Sequence, residues 1–236
     1  MLRVWWSRSP GNGNFGDVLT PVILKRFGID HQWTEQSECD AISTGSIIRF
    51  AGDGVHVLGS GVIDSSDRIN PRARFHWVRG PLTGEMVRRS GGDCPEVYGD
   101  PAMILPQIFE RTGEPDQEFG VFAHYVDLDH CRRYPFVISP LADPQSVLRA
   151  LWRCKRVVSS SLHGIIAAHA YGIPAAWARF STQLAGDGVK FHDHAQSVGL
   201  VEMPLSTVDE PEFTLPARCD NISSVLNEFG ERLRTA

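Results

Sequence analysis

Apolar positions along the chain fall into short runs of two kinds. Leu2-Arg3-Val4-Trp5-Trp6 is rich in β-formers and predicts a strand, and the following residues, broken by Gly11 and Gly13, predict a loop. Between residues 17 and 27, Val18, Leu19, Val22, Ile23 and Phe27 recur at helical spacing, with Gly28 as a stop. Strands are predicted at 55–58, running into Gly59-Ser60-Gly61, and at 74–78, running into Arg79-Gly80. A short one at 96–98 meets Gly99-Asp100-Pro101. Pro81 suits the first turn of a helix over 82–89.

The stretch 111–118 is polar, carries Gly113 and Pro115, and reads as a linker. Beyond it, strands are predicted at 119–123, 136–138, 156–158 and 175–177, with helices near 144–152 and 162–171. In the tail, 221–233, Ile222, Val225, Leu226, Phe229 and Leu233 share one helical face, so that helix packs against something. Alternation of strands and helices predicts an α/β fold with parallel sheets. With 236 residues the chain accommodates two halves, 1–112 and 113–236, the second carrying the amphipathic terminal helix. No internal sequence repeat is visible.

Composition narrows the function. A hydrophobic fraction of 42% and a charged fraction of 22% are those of an ordinary folded chain. A formal net charge of −5 argues against nucleic acid as a partner, because such proteins carry a basic footprint. An anionic ligand must then be met by local positive groups. Cys39, Cys94, Cys131, Cys154 and Cys219 are scattered and never paired as CxxC, which fits a reducing cytoplasm. No apolar stretch approaches the ~20 residues needed to span a bilayer.

In parallel sheets ligands bind beyond the carboxyl ends of the strands, so the strand-to-loop junctions hold the candidate chemistry. In Gly11-Asn12-Gly13-Asn14-Phe15-Gly16-Asp17, small residues let backbone N–H groups approach a ligand at a helix N-terminus. A tight turn capped by Asp17 explains the same pattern. Ser60, in a glycine loop of a common kind, has a supporting role. Arg79 offers a planar fork to carboxylate or phosphate, or pairs with an acid at the surface. The densest junction is Ser159-Ser160-Ser161-Leu162-His163-Gly164. The hydroxyls of Ser160 and Ser161 and the free N–H groups up to Gly164 can make an anion site, and His163 is either a proton carrier or a structural histidine. Two histidines and two aspartates fall between Gly186 and His194, but no cysteine pair or helical histidine spacing accompanies them and no metal is predicted. Lys190 there is either a point contact for phosphate or a solvated loop lysine.

Taken in order, Asn14-Phe15-Gly16-Asp17, Gly59-Ser60-Gly61, Val78-Arg79-Gly80-Pro81-Leu82-Thr83, Tyr98-Gly99-Asp100-Pro101-Ala102, Ser160-Ser161-Leu162-His163-Gly164-Ile165, Gly172-Ile173-Pro174 and Lys190-Phe191 resemble the polysaccharide pyruvyl transferase family over residues 2 to 200. The resemblance implies two Rossmann-like halves with parallel sheets facing a central cleft, as in GT-B glycosyltransferases. It implies phosphoenolpyruvate as donor substrate, no cofactor, and a saccharide or lipid-linked glycan as acceptor, in bacterial exopolysaccharide or envelope synthesis. Location would be cytoplasmic, with a peripheral place at the inner membrane face admitted. On this resemblance His163 and Arg79 are the catalytic candidates, and Asn14, Asp17, Ser60, Ser160, Ser161, Gly164 and Lys190 bind substrate. Some relatives carry an arginine two residues before the histidine, where this chain has Ser161. The alternatives are a nucleotide-sugar glycosyltransferase and a non-catalytic glycan-binding component.

Overall fold

The structure, a computed structural model, describes residues 1–218 and 222–235; Cys219 and Asn221, the first residue of the tail segment 221–233, lie outside the described residues. The first half runs β1 (Leu2–Trp5), α1 (Leu19–Arg26), β2 (His31–Trp33), β3 (Ala41–Ile42), β4 (His56–Leu58), β5 (Arg74–Trp77) and α2 (Pro81–Arg89). The second runs β6 (Gly120–Phe122), α3 (Leu128–Cys131), β7 (Val137–Ile138), α4 (Pro144–Trp152), β8 (Val157–Ser159), α5 (Leu162–Ala170), β9 (Ala175–Ala178), α6 (Val189–Ser197) and β10 (Leu205–Ser206). Helix α7 (Ile222–Thr235) follows.

Each group of five strands forms one parallel sheet, in the orders β2-β1-β3-β4-β5 and β7-β6-β8-β9-β10. Counted from the start of each half, both orders read 2-1-3-4-5. The fold therefore repeats a topology that leaves no visible repeat in the sequence. Strands β8 and β9 are buried at every residue, as expected when helices cover both faces of a parallel sheet.

Local chemistry sets the helix ends. At α4 the Asp143 carboxylate accepts from the Ser146 N–H at 3.0 Å, and Pro144 occupies the first turn, where its missing N–H costs nothing. Pro81 does the same for α2. The predicted strand at 96–98 reduces to one bridge between Tyr98 and Val78. Pro95 lacks a donor, and after Gly99 the chain turns into a 3₁₀ segment, Pro101–Gln107, whose first turn Asp100 caps through Ala102 N–H at 2.9 Å.

One apolar core runs from Val4, Leu19 and Leu58 through Ala102 and Leu105 to Ile165 and Trp177, so it is shared by both sheets. The 3₁₀ segment lies between α1 and α5, and α2 packs on α6. Helix α7, counted with the second half from sequence, lies against the first. Its Phe229 ring sits 5.4 Å from His56 and 4.7 Å from His76. Among the described residues no helix is long and apolar enough to cross a membrane.

Candidate active site

A strand order of 2-1-3-4-5 reverses direction between its first and third strands, and the loops leaving those two strands splay apart to leave a crevice. Here the crevice of one sheet, beyond β1 and β3, faces that of the other, beyond β6 and β8. Together they enclose a pocket of about 410 Å³. Its walls are Ser7, Asn14 and Asp17 after β1, Ser46, Arg49 and Phe50 after β3, His124 and Tyr125 after β6, Ser161 and His163 after β8, and Lys190 on α6. A larger concavity, about 860 Å³, lies at the opposite, amino end of the first sheet beside Leu2, His56 and Arg74. Arg3 and Asp40 on its wall already pair at 2.7 Å, and it lies away from every strand-to-loop junction described above.

Phe15 anchors the loop after β1 to the other half. Its N–H donates to Pro140 O at 2.7 Å, and its ring lies 5.8 Å from that of Phe122. Within the loop, Asn14 Nδ2 donates to Asp17 Oδ2 at 2.6 Å, while Asn14 Oδ1 accepts from the Gly16 N–H at 3.1 Å. Burial raises the Asp17 carboxyl to about 6, against the opposing pull of the Asn14 hydrogen bonds and of His163.

His163 is the second residue of α5, with its side chain 12% exposed. The ring lies flat against Gly16: a Cβ on Gly16 would fall 2.0 Å from His163 Nδ1. His163 Nε2 stands 3.7 Å from Asp100 Oδ2, and both atoms are enclosed without a hydrogen-bond partner. Beside it, Ser161 is nearly buried, and its hydroxyl does not cap the helix it precedes.

Lys190 is 7% exposed, and burial, helped by the charges of Arg79 and Arg179, pushes its ammonium down to about 8. It lies on a helix rather than in a loop, and its Nζ donates to Ala185 O at 3.3 Å. His124 is likewise held down to about 4, first by burial and then by Lys190. Its Nδ1 accepts from the Val126 N–H at 3.4 Å, and its ring lies 4.4 Å from Tyr125. No motif in the sequence singles out His124, Tyr125 or Arg49. The first two follow directly on the predicted strand at 119–123, so the carboxyl-end rule applied to that strand finds them.

Several sequence candidates sit behind the pocket instead of on it. Arg79 is fully buried and committed: Nε to Asp193 Oδ2 at 3.0 Å, Nη1 to Ser46 Oγ at 2.7 Å, Nη2 to Val62 O at 2.6 Å. It is neither a free fork for an anion nor a surface arginine, because Gly61 leaves the space that the guanidinium fills. The Ser60 hydroxyl donates to Gly45 O at 2.8 Å and accepts from the Ile47 N–H at 3.3 Å, holding the loop after β3. Ser160 Oγ accepts from the His124 N–H at 2.9 Å. Gly164 serves packing, since a Cβ there would meet Ser159 Oγ at 2.5 Å and the Phe122 ring at 2.6 Å. In the 186–194 run, Asp193 faces Arg79, His194 pairs with His169 at 3.0 Å, and His192 accepts from Met203 N–H at 3.4 Å, so the three diverge. Among the described residues no three metal-ligating side chains gather.

No solved structure matches the chain. Two curated proteins do. The uncharacterized protein L143 of Acanthamoeba polyphaga mimivirus is 31% identical over 169 residues, covering 66% of this chain and 59% of its own length. The succinoglycan biosynthesis protein ExoV of Rhizobium meliloti (strain 1021) is 28% identical over 221 residues, covering 86% of this chain and 67% of its own. The chain thus spans about three fifths to two thirds of these relatives. Residues 3–178, which carry both halves of the pocket except Lys190 and Ala185, match the family described as polysaccharide pyruvyl transferase. With a match over that length, the chain belongs to the polysaccharide pyruvyl transferase family.

Proposed function

We propose that this protein transfers pyruvate from phosphoenolpyruvate to two hydroxyls of a saccharide or lipid-linked glycan, forming a ketal during exopolysaccharide or envelope-polymer synthesis. One observation carries the reading: a single pocket unites a histidine, a carboxyl raised to about 6 and a buried lysine, contributed by facing crevices of two sheets. Family membership and the relative from succinoglycan biosynthesis support it. The two sheets, joined at a pocket, are compatible with a GT-B-like arrangement of donor in one half and acceptor in the other.

The chemistry follows from the donor. Between about pH 7 and 8 phosphoenolpyruvate is a trianion while Lys190 still carries its charge. Lys190, Arg49, whose Nη1 rests 3.4 Å from Asp67 Oδ1, and the N–H groups of Leu162 and His163 in the first turn of α5 are the positive groups offered to its carboxylate and phosphate. Proton transfer from the His163 imidazolium to C3 creates cationic character at C2, and one sugar hydroxyl adds there. Asp17, ionised, accepts that hydroxyl's proton and returns it to the His163 ring at the end of the cycle. The second hydroxyl then displaces the phosphate at C2, its proton leaving with the phosphate, so that donor and diol become ketal and hydrogen phosphate. Because the enol phosphate is itself the activated carbon source, no resident cofactor enters. Phosphoenolpyruvate is an intracellular metabolite, which places the reaction in the cytoplasm, at the inner membrane face when the acceptor is lipid-linked.

The test is thermal unfolding of the purified protein with phosphoenolpyruvate, phosphate, pyruvate and nucleotide sugars, followed by phosphate release with candidate glycans. Stabilisation by phosphoenolpyruvate beyond phosphate and pyruvate is expected, since a ligand bound only by the folded state raises the midpoint. His163→Ala is expected to lower turnover about 10²- to 10⁴-fold with the fold retained. Stabilisation by a nucleotide sugar alone overturns the reading in favour of glycosyl transfer.

A further inference from the structure

Asp100 Oδ2 and His163 Nε2 are both enclosed, both lack a hydrogen-bond partner, and face one another at 3.7 Å. Two unsatisfied buried polar atoms each carry a desolvation cost, and a short approach of one toward the other would remove both. At 3.7 Å the contact is an ion-pair distance but too long for a hydrogen bond. Catalytic hydrogen bonds commonly tighten only once substrate is bound.

The surroundings leave the carboxylate and the ring few other options. Asp100 Oδ1 is held by the Ala102 N–H at 2.9 Å at the head of the 3₁₀ segment, and the carboxylate is fully buried. The imidazole cannot swing toward the loop after β1, because it already fills the space that a Cβ on Gly16 would occupy. Nε2 is therefore closed off from any ligand, and Nδ1, one face of which packs over Gly16, is the nitrogen that remains for the pocket that His163 lines.

We propose that Asp100 is the positioning residue of His163: its carboxylate accepts the Nε2–H, fixes that tautomer, and leaves Nδ1 as the nitrogen that gives and takes the donor's proton. The proposal rests on the reading of His163 as proton carrier. Which ring nitrogen works is set by the hydrogen bond that the other makes. In the cycle, Nδ1–H passes its proton to C3 while Nε2–H stays on the Asp100 side, so the ring goes from imidazolium to the neutral Nε2–H form and Asp100 remains ionised throughout.

Nitrogen-15 NMR of histidine-labelled protein, with the His163 signals assigned by their loss in His163→Gln, reads the tautomer without any change at Asp100. The Nε2–H form is expected to dominate for the neutral ring; a dominant Nδ1–H form overturns the proposal. Asp100→Asn keeps an acceptor for the Ala102 N–H, but removes the charge and presents an amide N–H donor to Nε2 where the carboxylate presented an acceptor. In that variant the tautomer preference is expected to weaken or reverse, and kcat to fall about 10²-fold, the lower end for losing a general acid, with KM for phosphoenolpyruvate unchanged within about twofold. An unchanged tautomer with unchanged kcat overturns it. If His163→Gln turns over phosphoenolpyruvate at the native rate while the wild-type ring shows the Nε2–H form, the proton-carrier role fails and the positioning contact stands.

Discussion

Replacing Asp17 by Asn removes a charge that the fold holds at a cost. Burial lifts the Asp17 carboxyl from 3.8 to about 6. Well below pH 3.8 the group is protonated in both the folded and the unfolded chain and nothing is lost. As the pH rises, the unfolded carboxyl ionises first, so the folded chain binds the extra proton and stability falls until the folded carboxyl ionises as well. At 1.36 kcal/mol per pH unit the full penalty above pH 6 is about 3 kcal/mol. Asp17 still reaches the solvent of the pocket, so about 2 kcal/mol is the expected figure. In Asp17→Asn the amide oxygen can still accept from Asn14, as the carboxylate does at 2.6 Å, while the charge is gone. The variant should come within about 0.5 kcal/mol of the wild type in urea or thermal unfolding at pH 4, where the unfolded carboxyl is only partly ionised. At pH 7.5 it should exceed it by about 2 kcal/mol, or roughly 4–8 °C at this chain length. The same variant should transfer pyruvate more slowly, because the base for the incoming hydroxyl is missing. A stability difference that does not change between pH 4 and 7.5, or a variant less stable at pH 7.5, would refute the reasoning.

Two further outcomes follow from the buried cations. The Lys190 ammonium titrates at about 8, so KM for phosphoenolpyruvate in the wild type should climb as the pH passes from 7 to 9, when the charge facing the anionic donor is lost. Lys190→Met should show a high KM already at pH 7, with no further rise, in the same steady-state series. Arg79→Met leaves the Asp193 carboxylate buried with only Thr83 as partner, Oγ1 at 2.7 Å and N at 2.9 Å, and should destabilise the fold by about 3–5 kcal/mol in urea unfolding. The double variant Arg79→Met/Asp193→Leu should lose less than the single one, since no unpaired charge remains; an equal or larger loss would show that packing, and not charge, sets the cost.

What could be read from sequence divides along a physical line. The elements α4, α5, β8 and β9 stand out because apolar residues dominate them and Pro, Gly or a run of polar residues bounds them, and the structure places them within a residue of where the pattern does. Helix α6 does not stand out, because its buried face includes Lys190, Asp193, His194 and Ser197, and no apolar period survives in such a sequence. Strands β2, β3 and β10, two or three residues each, are too short to carry an alternation. The site shows the same division. Asn14, Asp17, Ser161 and His163 come to the pocket because strand-end junctions can be located from strand predictions alone. Whether a junction residue faces outward or backward depends on tertiary packing. Arg79, Ser60 and Ser160 turn back to satisfy buried partners, and Asp100, which reads as the cap of its own turn, also faces His163.

The buried pair of Arg79 and Asp193 bears on the site even though neither touches the pocket. Arg79 comes from the end of β5 and Asp193 from α6, so the ion pair joins the two sheets, with both side chains wholly excluded from solvent. Such pairs add little net stability relative to well-packed apolar residues, because desolvation offsets their attraction. Pulling them apart is another matter, since each charge would be left without its partner in a region built to exclude water. The relative placement of the halves is thereby fixed, together with the Phe15 N–H bond to Pro140 O. That placement decides the chemistry, because Asn14 and Asp17 belong to one half, and His163 and Lys190 to the other. Reacting groups must sit within about 3–3.5 Å of their targets, and a displacement of about 1 Å can cost about 10²-fold in rate. A guanidinium that never meets the donor can thus still govern turnover, by holding in register the two walls between which the donor and the sugar react.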